Sequence, residues 1–148
     1  MMSCLLLLLM IVLLLPMSVS AESFLCTAEH AAGFGFNENT KEWESFKFET
    51  DSKYVVSRTD KNDKFYKWKV VQHRNNRHLL QCENDFTEHG YLLCGKYNLY
   101  KFDMNKESMR FLMVYHGGYA VPQAYIDDGK EGGDTPFMEI GECSPLEK

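Results

Sequence analysis

The stretch YLLCGKYNLYKFDMNKESMRFLMVY, from Tyr91 to Tyr115, leaves this chain little freedom of fold. Tyr97, Leu99 and Lys101 alternate with Asn98, Tyr100 and Phe102. Met109, Phe111, Met113 and Tyr115 alternate with Arg110, Leu112, Val114 and His116. Between the two runs, Asp103, Asn105, Lys106, Glu107 and Ser108 have turn chemistry. Alternation at period two sends successive side chains to opposite faces of a strand, and aromatic and β-branched residues suit a pleated surface. The stretch therefore reads as a hairpin with one face turned inward. Further strands are expected at 24–28, 43–48, 53–58, 65–73, 79–82 and 137–143, divided by polar turns and loops. Glu29 to Ala32 reads as a turn or one loop of helix. Gly33-Phe34-Gly35-Phe36 reads as a strand that bulges or is closely approached. The run Phe36-Asn37-Glu38-Asn39 echoes Phe102-Asp103-Met104-Asn105, one turn solution used twice. No apolar stripe at helical spacing runs for ten residues after the first 21. The fold class expected is all-β, an antiparallel β-barrel or β-sandwich of about 8 strands.

Residues 1–21 stand apart from that domain. Leu5 to Leu15 is an unbroken apolar run of signal-peptide length, Pro16 interrupts it, and Val19-Ser20-Ala21 supplies small residues for cleavage after Ala21. The opening MMSC carries no Lys or Arg, so an uncleaved anchor is the alternative. Ser23-Phe24-Leu25 before Cys26 lacks the small residues of a lipidation site. Residues 22–148 then form a single domain. Cleavage removes Cys4 and leaves Cys26, Cys82, Cys94 and Cys143, an even count that in an exported domain reads as two disulfides. Three connectivities are open. The favoured one joins Cys26 to Cys143, because domain termini often lie close together, and Cys82 to Cys94 around a short loop.

The formal net charge is −5, and residues 1–21 carry none of it, so nucleic acid is not an expected partner and stable membrane insertion after cleavage is not expected either. Lys61, Lys64, Lys67, Lys69, Arg74 and Arg77 cluster in one segment, read as a solvated strand face and loop. The histidines, His30, His73, His78, His89 and His116, show no ligand spacing, and no zinc pattern accompanies the cysteines. No G-x-S-x-G, H-E-x-x-H or phosphate-loop motif occurs. Asp127, Asp128, Glu131 and Asp134 could bind calcium only outside the EF-hand register. The expectation is no metal, no cofactor and no catalysis. Aromatic load is the stronger lead: Trp43, Trp68, Tyr97, Tyr100, Phe102, Tyr115, Tyr119 and Tyr125 exceed what one sheet face needs. Tyr115, His116, Tyr119 and Tyr125, near the Gly117-Gly118 break, are the preferred binding patch, with Trp68 as a further candidate.

Cys26…His30-Ala31-Ala32-Gly33-Phe34…Trp43 and Lys53-Tyr54-Val55-Val56 resemble the front half of a family of uncharacterised small exported proteobacterial proteins with four paired cysteines. Tyr91-Leu92-Leu93-Cys94, Met109-Arg110-Phe111, Gly118-Tyr119, Thr135-Pro136 and Glu139-Ile140-Gly141-Glu142-Cys143-Ser144 resemble the back half. The resemblance spans nearly all of residues 22–148. It implies a bacterial source and a periplasmic or secreted location, and carries over no catalytic residue. Taken together, the sequence is read as an exported, inhibitor-like module that binds another envelope or secreted protein. A lipocalin-like carrier of a small apolar ligand and a hydrolase with a dispersed site are the alternatives. The carrier requires an unfilled barrel. The hydrolase requires a cleft holding at least two histidines with a carboxylate in reach.

Overall fold

A computed structural model describes residues 23–74, 77–95, 99–119 and 135–146. These residues form nine strands and, among the described residues, no helix: β1 (Ser23–Asn37), β2 (Glu42–Phe48), β3 (Lys53–Arg58), β4 (Trp68–Gln72), β5 (Arg77–Cys82), β6 (Tyr91–Cys94), β7 (Tyr100–Asn105), β8 (Arg110–Tyr115) and β9 (Phe137–Pro145). Every pairing is antiparallel, in the order β5-β4-β3-β1-β9-β8-β7-β6, with β2 added to the far half of β1. Eight strands thus curl into a nearly closed barrel. Its end strands, β5 and β6, share no ladder. The Cys82–Cys94 disulfide joins them, and the Gly95 backbone packs against the Leu80 side chain. The other disulfide, Cys26–Cys143, lies inside the β1–β9 ladder, where the two residues pair directly. Both bridges follow the favoured connectivity.

Strand β1 crosses the stretch read as a turn or helical loop. Its register against β9 slips by one residue between Ala28 and His30, so Glu29 is a β-bulge. Before the bulge Phe24, Cys26 and Ala28 are buried; after it the inward residue is Ala31. The flip of parity is what disguised a continuous strand. Gly141 sits opposite Ala28, where a Cβ would stand 2.0 Å from the Thr27 carbonyl oxygen. Close approach of two backbones is the reason for that glycine.

The hairpin turns also correct the reading in one detail. Asp103 and Asn105 lie within β7, and the turn begins only after Asn105. Asn37 and Asn105 play the same part: the Asn37 Oδ1 accepts from the amides of Asn39 and Thr40, and the Asn105 Oδ1 from those of Glu107 and Ser108. Each turn closes on a residue in the left-handed region, Lys41 at φ 59° and Met109 at φ 55°. The repeated turn is present, but its equivalent residues are Asn37 and Asn105.

The barrel interior is filled by side chains. Phe102, Leu80, Leu92, Met104, Met113, Val56 and Val70 are fully buried, each contributing roughly 1.5–3 kcal/mol. Phe102 stacks on Phe111 with centroids 5.3 Å apart, and Tyr54 meets both rings edge-on. At one end Phe24, Trp68 and Phe86 pack together. Trp68 therefore belongs to the core, on the inward parity of β4, and offers no binding surface. Phe65, read as part of that strand, lies outside it and is exposed.

Candidate functional site

Two clefts open beside each other at the β1–β9 end, sharing Phe137. The larger, about 260 Å³, is lined by Ala32, Gly33, Val114, Tyr115, His116, Tyr119, Pro136, Phe137 and Met138. Three of the four residues of the expected patch therefore converge. Tyr125 lies outside the described residues, as do Ala21, Tyr97 and the Asp127–Asp134 loop. The construction is local. Tyr115 is the last residue of β8, with its ring between those of Tyr100 at 4.6 Å and Phe137 at 5.6 Å. The His116 amide donates to the Leu99 carbonyl at 2.8 Å and carries the edge past the end of β8. At Gly117 a Cβ would fall 2.1 Å from the Tyr115 hydroxyl, and Gly118 turns the chain at φ +90°. Tyr119 is thereby returned onto Trp43, edge to face at 5.4 Å, and Trp43 in turn meets Phe36. Tyr119 remains 70% exposed. Met138 and Ile140, both exposed, extend the apolar surface along the outward parity of β9, opposite Val114 and Leu112 of β8.

The smaller cleft, about 180 Å³, is lined by Ala31, Phe48, Glu49, Thr135, Phe137 and Glu139. Glu139 is 5% exposed. Its Oε1 accepts from the Thr50 hydroxyl at 2.6 Å and the Ser52 hydroxyl at 2.9 Å, and its Oε2 accepts from the Tyr54 hydroxyl. Burial, followed by the hydrogen bond to Glu139, raises the Tyr54 pKa well above the usual phenol range. The sequence reading missed Glu139. Its signal was parity: counting back by twos from the inward Cys143 gives Gly141, Glu139 and Phe137, which places a carboxylate on the inner face.

A second polar cluster is structural. The Trp68 indole donates to Asp85 Oδ1 at 2.9 Å, Arg58 reaches Oδ2 at 2.6 Å and lies 4.5 Å over the Trp68 ring, and the Phe86 amide completes the set. Burial pushes the Asp85 carboxyl upward, but the Trp68, Arg58 and Phe86 hydrogen bonds and the Arg58 charge outweigh it and hold it below the usual value. In the basic segment Lys61, Lys64, Lys67 and Arg74 are exposed, with Arg74 paired to Asp51. All five histidines are exposed and lie on separate strands and turns. Among the described residues no group of three or more His, Cys, Asp or Glu is placed to hold a metal ion, and no helix is long and apolar enough to cross a membrane.

Comparison with protein-family models, with curated proteins and with solved structures found no match to this chain.

Proposed function

We propose that this protein is an exported, inhibitor-like binding module that engages another protein through the aromatic cleft of Tyr115, His116 and Tyr119. The observation that carries this reading is the convergence of those residues with Met138 and Phe137 into one open, largely apolar surface. Aromatic side chains held by their neighbours make strong interface anchors because little conformational freedom is lost on contact. Two disulfides favour an oxidising compartment, and the leader and the family resemblance point to a periplasmic or secreted bacterial protein. The filled interior argues against a lipocalin-like carrier. The clefts, at about 180 and 260 Å³, fall short of the roughly 300–1,000 Å³ of small-molecule pockets. The dispersed hydrolase has less support, since the histidines are all exposed and neither of the two clefts is lined by more than one of them.

The test is capture from envelope and secreted extracts on immobilised wild-type protein and on the Tyr119→Ala/Met138→Ser double variant. Both positions are exposed, so the fold is expected to persist and circular dichroism checks it. A species held by wild type and reduced at least tenfold on the variant supports the reading. Equal capture by both removes the cleft from the interaction, and a ligand adduct in native mass spectrometry of host-purified protein would favour the carrier.

A further inference from the structure

We infer that the smaller cleft is a receptor for an alkylammonium or guanidinium group, supplied by a Lys or Arg side chain of the partner protein. The inference rests on the reading of this end of the barrel as a protein-binding surface. Its core is Glu139. A buried carboxylate is costly unless compensated, and the usual compensation is a cation. Here every partner among the described residues is a neutral hydroxyl, from Thr50, Ser52 and Tyr54. Among the described residues no Lys, Arg or His nitrogen lies within 4.0 Å of it. The hydroxyls also leave acceptor capacity unused. A carboxylate has about four lone-pair sites. Among the described residues Thr50 and Ser52 take both on Oε1 and Tyr54 takes one on Oε2, which leaves one acceptor position on Oε2.

The rest of the cleft has the chemistry that a cationic side chain asks for. Glu139 is on its lining, the Phe48 and Phe137 rings and Ala31 supply apolar walls, and Glu49 stands exposed at the rim. Aromatic faces attract a desolvated cation, and apolar walls take the methylene stem that such side chains bury beneath the charged end. A space of about 180 Å³, below the roughly 300–1,000 Å³ of small-molecule pockets, suits a side-chain terminus better than a larger ligand. The formal net charge of −5 draws a basic partner in the same direction. Phe137 belongs to both clefts, so one partner segment can lay an apolar residue on Tyr119 and insert the neighbouring cation.

The test uses n-butylammonium and N-acetyl-arginine amide as probes, with n-butanol as the neutral isostere, followed by NMR on the full protein. Binding is expected in the millimolar range, with shifts confined to Phe48, Phe137 and Glu139, and at least tenfold weaker for butanol. Glu139→Gln should abolish it, and Glu49→Gln should weaken it about threefold. If Glu139→Gln fails to fold, Phe48→Ala, on a half-buried wall residue, reads the same site and should weaken binding at least threefold. Equal shifts with butanol, or none with either cation, overturn the inference. The partner reading is tested separately, because the Tyr119→Ala/Met138→Ser variant should keep its affinity for butylammonium while losing the captured protein.

Discussion

The two disulfides are the same bond set in opposite surroundings. Cys26–Cys143 lies at the centre of the barrel, across a pair of strands already joined by a long ladder. Cys82–Cys94 bridges the seam where β5 and β6 share no ladder at all. The first reinforces what backbone hydrogen bonds hold, and its worth lies in the unfolded chain, where it closes a loop of 117 residues. The second closes only 12 residues but is the covalent link across the gap. A crosslink's contribution to total stability and its contribution to local closure are therefore separable in this molecule.

Four experiments sharpen or break that contrast. The Cys26→Ser/Cys143→Ser variant should lose about 4.7 kcal/mol of unfolding free energy in denaturant melts, the chain-entropy figure for a loop near a hundred residues, while its amide exchange pattern stays uniform. The Cys82→Ser/Cys94→Ser variant should lose about 3 kcal/mol, with exchange rising first at Leu80 and Leu92, on the strands beside the seam. Uniform exchange in both variants would erase the distinction. Asp85→Ala should cost about 1–2 kcal/mol by leaving the Trp68 indole without its acceptor. Its carboxyl has a lowered pKa, so the contribution is present above the ordinary value of 3.8 and is lost as pH falls below it; the gap between wild type and variant should close in acid. Tyr54→Phe should have the smallest effect at neutral pH, about 1 kcal/mol, because Glu139 keeps two of its three donors. As pH climbs past 10.0 the unfolded chain loses the Tyr54 proton while the folded protein keeps it. Wild-type stability thus contains a term that is whole below that pH and wanes above it, and the variant should show a shallower alkaline decline. Identical alkaline slopes would mean that Tyr54 titrates freely.

Much of this architecture was legible in the residues, and the failures have physical causes. Alternation placed β3, β7, β8 and β9 because one face of each is wet and the other dry. It faltered at Glu29, where a single inserted residue reverses parity and makes one strand look like two with a turn between. Trp68 was misassigned because an aromatic on an alternating strand fits either face. Its indole finds the acceptor it needs in Asp85, 17 residues away. Glu139 was overlooked because a carboxylate between two apolar residues reads as surface. Only its contact with Thr50, Ser52 and Tyr54, 85 or more residues distant, makes an inward position tolerable.

By itself the sequence determined the all-β class, most of the strands and the cysteine count, since these depend on local period and backbone preference, and it favoured the two bridges that the fold makes. The tertiary structure alone decided the strand order, the bulge, the seam and the meeting of Tyr115, His116 and Tyr119 with Phe137 and Met138 in one cleft. Those outcomes come from long-range register, where each pairing is set by what the opposite strand buries, and no window of the chain contains both partners.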